Sequence, residues 1–283
     1  MTDAASIGPA TPPDLHVMTF NIRRRVSRML HLHRDWWSAR RPLVRAILEA
    51  EQPTILGVQE ALADQASFVA SVLGPDYGRI GRGRNRRGDG EQCTIFYDTR
   101  RLRLDDWSQR ALSGTPLKPG SHTWGNMIPR IAVSADFTDT ATDARFTVIN
   151  THLDHLSRAS RVRSAEMLNE LAADAGRPVV VMGDLNARPR SSPIRILTSG
   201  PLQDAWKCAQ RRLTPMWDTY SGYHPPRATG KRIDWILVSA GVEVRAIGVR
   251  AVRFDGAAAS DHEPVHALMR VQPPSAPDPP HLS

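Results

Sequence analysis

Val179–Met182 is an unbroken apolar run, β-branched at Val179, Val180 and Val181, and it leads directly into Gly183, Asp184, Leu185 and Asn186. Such a run predicts a buried strand, because β-branched side chains are stiff and pack well on a pleated surface. The pattern recurs along the chain. "VMTFN" stops at Asn21, "ILGVQE" at Glu60 and "FTVINTH" at His152, while "RID" places Asp234 at the head of one strand and "SDHEPV" places Asp261 and His262 at the head of another. Taken singly, each is a solvated strand end or a turn former, as Asp and Asn often are. As an ordered set they are more specific, because strand ends are where α/β architectures collect their sites.

Periodicity predicts strands over 15–22, 54–60, 92–98, 101–107, 130–137 and 144–152, with further strands in "RPVVVMGD", "KRIDWILVS" and "HEPVHALMRV". The 92–98 and 101–107 runs read as a pair joined by a turn, and so do 130–137 and 144–152. Amphipathic helices are predicted over 38–53, with Leu43, Ile47 and Leu48 on one face, and over 160–175, with Val162, Ala165, Leu168 and Leu171 inward. Hairpins and helical crossovers both occur, so the sheets should be mixed. Residues 14–272 read as one domain, residues 1–13 as a loose N-terminal arm, and the Pro-rich 273–283 as a disordered tail.

The net charge of +8 favours anionic partners, although arginine-rich composition alone gives the same balance. Two cysteines, Cys93 and Cys208, build neither a disulfide framework nor a cysteine zinc site. No apolar window is long enough to span a membrane, and the N-terminus lacks the basic and apolar regions of a signal peptide. A cytoplasmic monomer is the expectation, with no membrane and no obligate protein partner. The most basic stretch, "GRIGRGRNRRGDGEQ" over 78–92, is not a P-loop because G-K-[ST] is missing. Arg82, Arg84, Arg86 and Arg87 there read either as a grip on a polyanion or as a solvated loop.

Carboxylate and amide oxygens are hard ligands, suited to Mg²⁺ or Mn²⁺. Glu60, Asp184, Asn186 and Asp261 offer such a shell, with Asn21 nearby. His262, oriented by Asp234, makes an acid–base unit. The two arms meet in metal-assisted hydrolysis of a phosphate ester. Arg130 reads equally as a phosphate clamp and as a structural ion pair. His155, three residues after His152, reads as adjacent to the site and outside the ligand set. His31 and His33 read as surface histidines, and Trp36 and Trp37 as a hydrophobic anchor. The competing class is a non-catalytic nucleic-acid-binding protein using the basic 79–87 loop.

"TFNIR", "GVQE", "NTHLDH", "GDLNARP", "RIDWIL" and "SDHEPV", in this order from residue 19 to 265, resemble the endonuclease/exonuclease/phosphatase superfamily of DNase I-like hydrolases. "GEQCTIFYD", "LSGTP" and "IPR" are similar to a bacterial branch described as metal-dependent hydrolases. The resemblance implies a four-layer α/β/β/α sandwich of two mixed, mostly antiparallel sheets. It implies a divalent-metal-dependent phosphodiesterase or phosphatase, nucleases among them, using Mg²⁺ or Mn²⁺. Glu60 would be the main metal ligand, with Asn21 close by and Asp261 as a further ligand. Asp184 would position or deprotonate the attacking water, and Asn186 would bind phosphate or metal. His152 would contact a phosphoryl oxygen or assist the leaving group. His262, paired with Asp234, would be base or transition-state stabiliser. Arg130, His155 and Arg84 would bind substrate, which is a phosphate ester of a nucleic acid, nucleotide, sugar or lipid. The matching relatives carry aromatic residues just before "LS", where this chain has Arg110 and Ala111.

Overall fold

The computed structural model describes residues 6–27, 29 and 31–273. The chain begins with β1 (Leu15–Asn21), a short 3₁₀ turn at His33–Asp35, α1 (Trp37–Glu51), β2 (Ile55–Ala61), α2 (Ala63–Leu73), β3 (Tyr77–Ile80) and β4 (Gln92–Asp98). The middle third carries β5 (Leu102–Ala111), β6 (Ile131–Asp139), β7 (Arg145–His152), α3 (Arg158–Asp174) and β8 (Val179–Asp184). It closes with α4 (Ser192–Ser199), β9 (Gln203–Asp204), α5 (Ala205–Cys208), β10 (Arg211–Arg212), β11 (Asp234–Val238), β12 (Val242–Val249) and β13 (Val265–Val271).

Two sheets form. One has seven strands in the order β10-β12-β13-β1-β2-β4-β3, and the other has six in the order β5-β6-β7-β8-β11-β9. Among the described residues, only the pairings β1–β2, β7–β8 and β10–β12 are parallel. Three separate apolar clusters define the layers. Val17, Ile55, Ile95, Val133, Val148, Val180 and Ile236 fill the space between the sheets. Val181, Leu237 and Ile149 pack outward against Leu168 of α3 and Leu197 of α4. Met18, Leu56 and Phe96 pack outward against Val44, Ile47 and Leu48 of α1 and Val69 of α2. Three apolar interfaces need four layers, so the fold is the α/β/β/α sandwich that the resemblance implies.

A polar cross-link sits inside the inter-sheet core. Asn150 of β7 donates to the carbonyls of Val58 and Thr94 across the gap, and Gln59 Nε2 donates to Asn150 Oδ1 at 2.6 Å. Buried amides persist only when hydrogen-bonded, so this set fixes one sheet against the other near the strand ends that carry the polar residues.

Two sequence expectations need correction. The 92–98 and 101–107 runs do not pair: β4 lies between β2 and β3 in the first sheet, while β5 pairs with β6 in the second. The short link between them crosses from one sheet to the other, which strand periodicity cannot reveal. The described part of the N-terminal arm is not loose. Ser6 and Gly8 donate backbone N–H groups to Glu51, and the Ser6 hydroxyl sits 2.6 Å from His266 Nε2. His16 Nδ1 lies 2.8 Å from the Gly8 carbonyl, and its Nε2 lies 3.3 Å from His266 Nδ1. Residues 1–5 and 274–283 of the expected arm and tail lie outside the described residues. Helix α2, with Ala66 and Val69 buried, and strand β12 were not visible as patterns in the sequence.

Candidate active site

The register of three strands assembles the centre. β8 runs parallel to β7 and antiparallel to β11, so His152 and Asp234 flank Asp184 on either side. Gly183 makes the close approach possible: its φ is +144°, and a Cβ there would stand 1.9 Å from the Thr151 carbonyl oxygen. Only glycine fits, which gives the "GD" of this motif a physical reason. From the other sheet, β1 and β2 end side by side with Asn21 opposite Gln59. The β2–β4 ladder slips register between Val58 and Ala61, and Glu60 has φ +62°. A bulge of this kind re-aims a side chain that strict alternation would point elsewhere. Asn186 is also left-handed, at φ +46°. Left-handed backbone at two candidate residues is strain held in place by the surrounding sheet ends.

The side chains converge. Asn21 Nδ2 donates to Glu60 Oε1 at 3.0 Å and to Asp184 Oδ2 at 3.1 Å. His262 Nδ1 lies 2.9 Å from Asp234 Oδ2, and its Nε2 lies 3.7 Å from Asp184 Oδ2. His152 Nε2 lies 3.4 Å from Asp184 Oδ2 and 3.1 Å from Asn186 Nδ2. The loop before β13 is fixed by Ser260, whose hydroxyl donates to the Asn21 carbonyl and accepts the His262 N–H. Asp184 and Asp234 are each about 1% exposed, so these charges interact with little solvent screening.

Burial and neighbouring charge set the protonation states. For His262, burial opposes the charged form, but Asp234 and then Asp184 outweigh it and hold the imidazole well above its usual value. Burial, reinforced by the charge of Asp234, pushes the Asp184 carboxyl up. His152 is driven the other way, first by burial and then by Arg130 and Arg84, so it stays neutral. Burial also works against the Glu60 carboxylate, yet the Asn21 hydrogen bond and the charges of His262 and Arg23 bring it below its usual range. A buried histidine–carboxylate set with values pushed apart is the arrangement expected of an acid–base centre.

These groups face a cavity of about 650 Å³ lined by Glu60, Asp184, Asp261, His152, Asn186 and His262, with Arg23, Arg24, Arg84, Arg130, Arg188 and Lys231 around it. Arg130 makes the structural ion pair of its two sequence readings and also lines the cavity. It is 3% exposed, pairs with Asp154 at 3.4 Å and contacts His155 Nδ1 at 2.9 Å, while its Nη1 is buried without a partner at the cavity wall. Arg84 Nη1 is held by Glu91 at 2.6 Å. Arg82, Arg86 and Arg87 of the basic loop face a different, smaller cavity beside residues 116–120. Asn21 and Asp234 lie behind the cavity wall, in contact with Glu60, Asp184 and His262, and the Asn21 oxygen accepts the Arg23 N–H. The sequence reading missed Arg23, Arg24, Arg188 and Lys231. Arg23 and Arg188 stand inside or beside the quoted motifs, and that proximity was the available signal.

The donor set fits a hard divalent cation. Glu60 and Asp261 are hard oxygen donors on one wall, and the Glu60 charge raises the carboxyls of both Asp184 and Asp261, beyond what burial does. Arg23 already bridges the two, 4.0 Å from Glu60 Oε2 and 3.7 Å from Asp261 Oδ2. Crowded carboxylates with a cation drawn between them are the condition that a divalent ion relieves. Asp184, Asp234 and His262 form a second tight group of possible ligand atoms.

Among the described residues, no helix is long and apolar enough to cross a membrane. No curated protein matches the chain. Solved structures do. An endonuclease/exonuclease/phosphatase from Bacteroides vulgatus superposes with a TM-score of 0.84 at 30% identity, covering 92% of this chain and 99% of that one. A mannosyl-6-phosphatase from Bacteroides thetaiotaomicron superposes with a TM-score of 0.81 at 30% identity, covering 90% and 99%. The human nocturnin catalytic domain shares the fold at 18% identity, with a TM-score of 0.69 over 92% of this chain and 94% of that one. The family model for Endonuclease/Exonuclease/phosphatase matches residues 18–262, a span that opens just before Asn21 and closes on His262. With its sandwich, its ordered strand-end residues and that match in agreement, the chain belongs to the endonuclease/exonuclease/phosphatase family.

Proposed function

We propose that the protein is a divalent-metal-dependent hydrolase of phosphate esters, a phosphodiesterase or phosphatase. One observation carries the reading: His262, clamped by Asp234 at 2.9 Å, and Asp184 meet at the floor of a cavity rimmed by arginines. A nucleic-acid binder needs the arginines but has no use for a buried acid–base pair.

The geometry supports the following roles. Arg130 Nη1 and Lys231 bind the phosphate group and hold it over the floor. Asp184, raised by burial and by Asp234, accepts the proton of the attacking water. His262, kept cationic by Asp234, stabilises the charge that develops on the phosphoryl oxygens. His152 is neutral and, together with the Leu153 carbonyl, accepts the two Nδ2 protons of Asn186, which fixes that side chain at the cavity wall. Glu60 and Asp261 would hold Mg²⁺ or Mn²⁺, with Asn21 orienting Glu60. When bound, the cation supplies Lewis-acid polarisation of the phosphoryl oxygen.

The test is hydrolysis of bis-p-nitrophenyl phosphate, p-nitrophenyl phosphate and a single-stranded oligonucleotide, each with Mg²⁺, Mn²⁺ or EDTA, for wild type and Asp184→Ala. Metal-dependent turnover abolished in the variant is expected. No turnover, with oligonucleotide binding unchanged in Asp184→Ala, would favour the binding-protein reading.

A further inference from the structure

A second concavity of about 450 Å³ opens beside the first and shares Asn186 and Arg188 with it. Its wall is formed by Arg158 and Arg161 at the start of α3 and by Arg188, Arg190 and Arg195 around the start of α4. No carboxylate lines it. Several arginines elsewhere in the chain are paired at close range, such as Arg101 with Asp139 and Arg232 with Asp204. None of these five has a carboxylate partner among the described residues.

Five guanidinium groups around one hollow repel one another, and among the described residues only Arg161 feels a nearby carboxylate charge, that of Asp154. The fold does orient them. Arg158 Nη2 and Arg195 Nη2 both donate to Ser192 Oγ, at 3.0 and 3.4 Å, which turns two forks toward the same point. Arg161 Nη1 is anchored on the Asp154 carbonyl at 2.7 Å. Arg190 has φ +66°, a conformation that costs a non-glycine residue energy. The Ser191 hydroxyl neither caps α4 nor finds another partner, although its oxygen is buried. The first-turn N–H groups of α4 are thus left without a side-chain acceptor, at the positive end of its dipole.

We propose that this hollow binds a second phosphate of the substrate, next to the one being cleaved. Guanidinium forks match phosphate geometry, and an anion there removes the mutual repulsion of the wall. Because Arg188 and Asn186 face both cavities, the two phosphates belong to one molecule. The wall offers no aromatic ring, so recognition is by phosphate charge and not by base stacking. The proposal rests on the hydrolase reading for its substrate. The anion site itself is measurable without catalysis.

The test uses the full chain and the variant Arg158→Gln, Arg190→Asn, Arg195→Gln, all exposed positions, with its folding checked by thermal melting. Two matched pairs are assayed: thymidine 5′-(p-nitrophenyl phosphate) with and without a 3′-phosphate, and fructose 6-phosphate against fructose 1,6-bisphosphate. In wild type the two-phosphate member of the cleaved pair should be favoured about tenfold or more in kcat/KM, and the variant should bring that ratio near one. In parallel, anisotropy of a fluorescent hexathymidylate in EDTA gives the salt dependence of binding. Loss of three phosphate contacts should reduce the slope of log K against log salt by about 2. A gain confined to the nucleotide pair assigns the hollow to a phosphodiester chain, and one confined to the sugar pair to a bisphosphorylated small molecule; both support the site. A reduced slope without turnover of any ester also supports it, while sinking the hydrolase reading. A variant that keeps the wild-type ratio, or, where no ester is turned over, an unchanged slope, overturns the proposal.

Discussion

His16 should make the stability of this protein fall on mild acidification, and His16→Asn should remove that dependence. The ring is 0% exposed at the start of β1, five residues from Asn21 and at the other end of the strand from the cavity. Burial first, and then the neighbouring His266, push its pKa down to about 3 from the usual 6.5, against weaker support from Glu51 and Gly8. The unfolded chain therefore takes up a proton below pH 6.5 that the folded chain refuses. The stabilisation is complete above pH 6.5 and is lost as the pH falls from there toward 3. With a pKa unit equivalent to about 1.4 kcal/mol, the loss at about pH 5 is ~2 kcal/mol, and at about pH 7.5 it is negligible. Glu51 is also held below its ordinary range, so its contribution fades in the same direction, but only at pH values under its usual 4.5. Denaturant unfolding at the two pH values measures the difference. Asn keeps a donor for the Gly8 carbonyl but does not titrate, so the variant's change between the two pH values should be smaller than wild type's by ~2 kcal/mol. Equal changes in both proteins would refute the reasoning. So would a wild type more stable at pH 5, which would mean that the folded ring accepts the proton.

Asp234→Asn removes the charge that holds His262 cationic while keeping a similar shape. Steady-state kinetics should show kcat reduced by on the order of 10²–10⁴-fold with KM little changed; a variant as active as wild type would exclude His262 from the chemistry. Gly57→Ala tests the inter-sheet packing, because its Cβ would stand 2.6 Å from Met182 Cε and 3.0 Å from Asn150 Cγ. The Asn150 cross-link must give way as well as the flexible methionine, so a loss of about 1–3 kcal/mol is expected by denaturant titration, and no loss would show that the sheets are less rigidly joined than the hydrogen bonds imply.

The strand ends were legible because each combines two signals that one short window contains: an apolar β-branched run and a polar residue where it stops. Asn21, Glu60, His152, Asp184, Asp234 and His262 could be named from that pattern, and their order along the chain identified the family. Local pattern also gave α1, α3 and the β6–β7 hairpin, since periodicity within one element needs no partner. It could not give the partners. Whether β5 pairs with β4 or β6 depends on which apolar faces meet across the core, and a linear sequence holds the faces without the meeting. Glu60 is aimed by a bulge against β4, and Asp184 by a register that sets it between His152 and Asp234. Those are properties of strand pairs. The same holds for charge. The sequence counts arginines, and the basic 78–92 stretch drew attention because they are contiguous there. The fold pairs Arg84 with Glu91 and gathers Arg158, Arg161, Arg188, Arg190 and Arg195 from two helix starts into a wall that no carboxylate lines. Electrostatic energy depends on distance in space, so the sequence determined which groups this protein has, and only the tertiary structure decided which of them are left without a counter-charge.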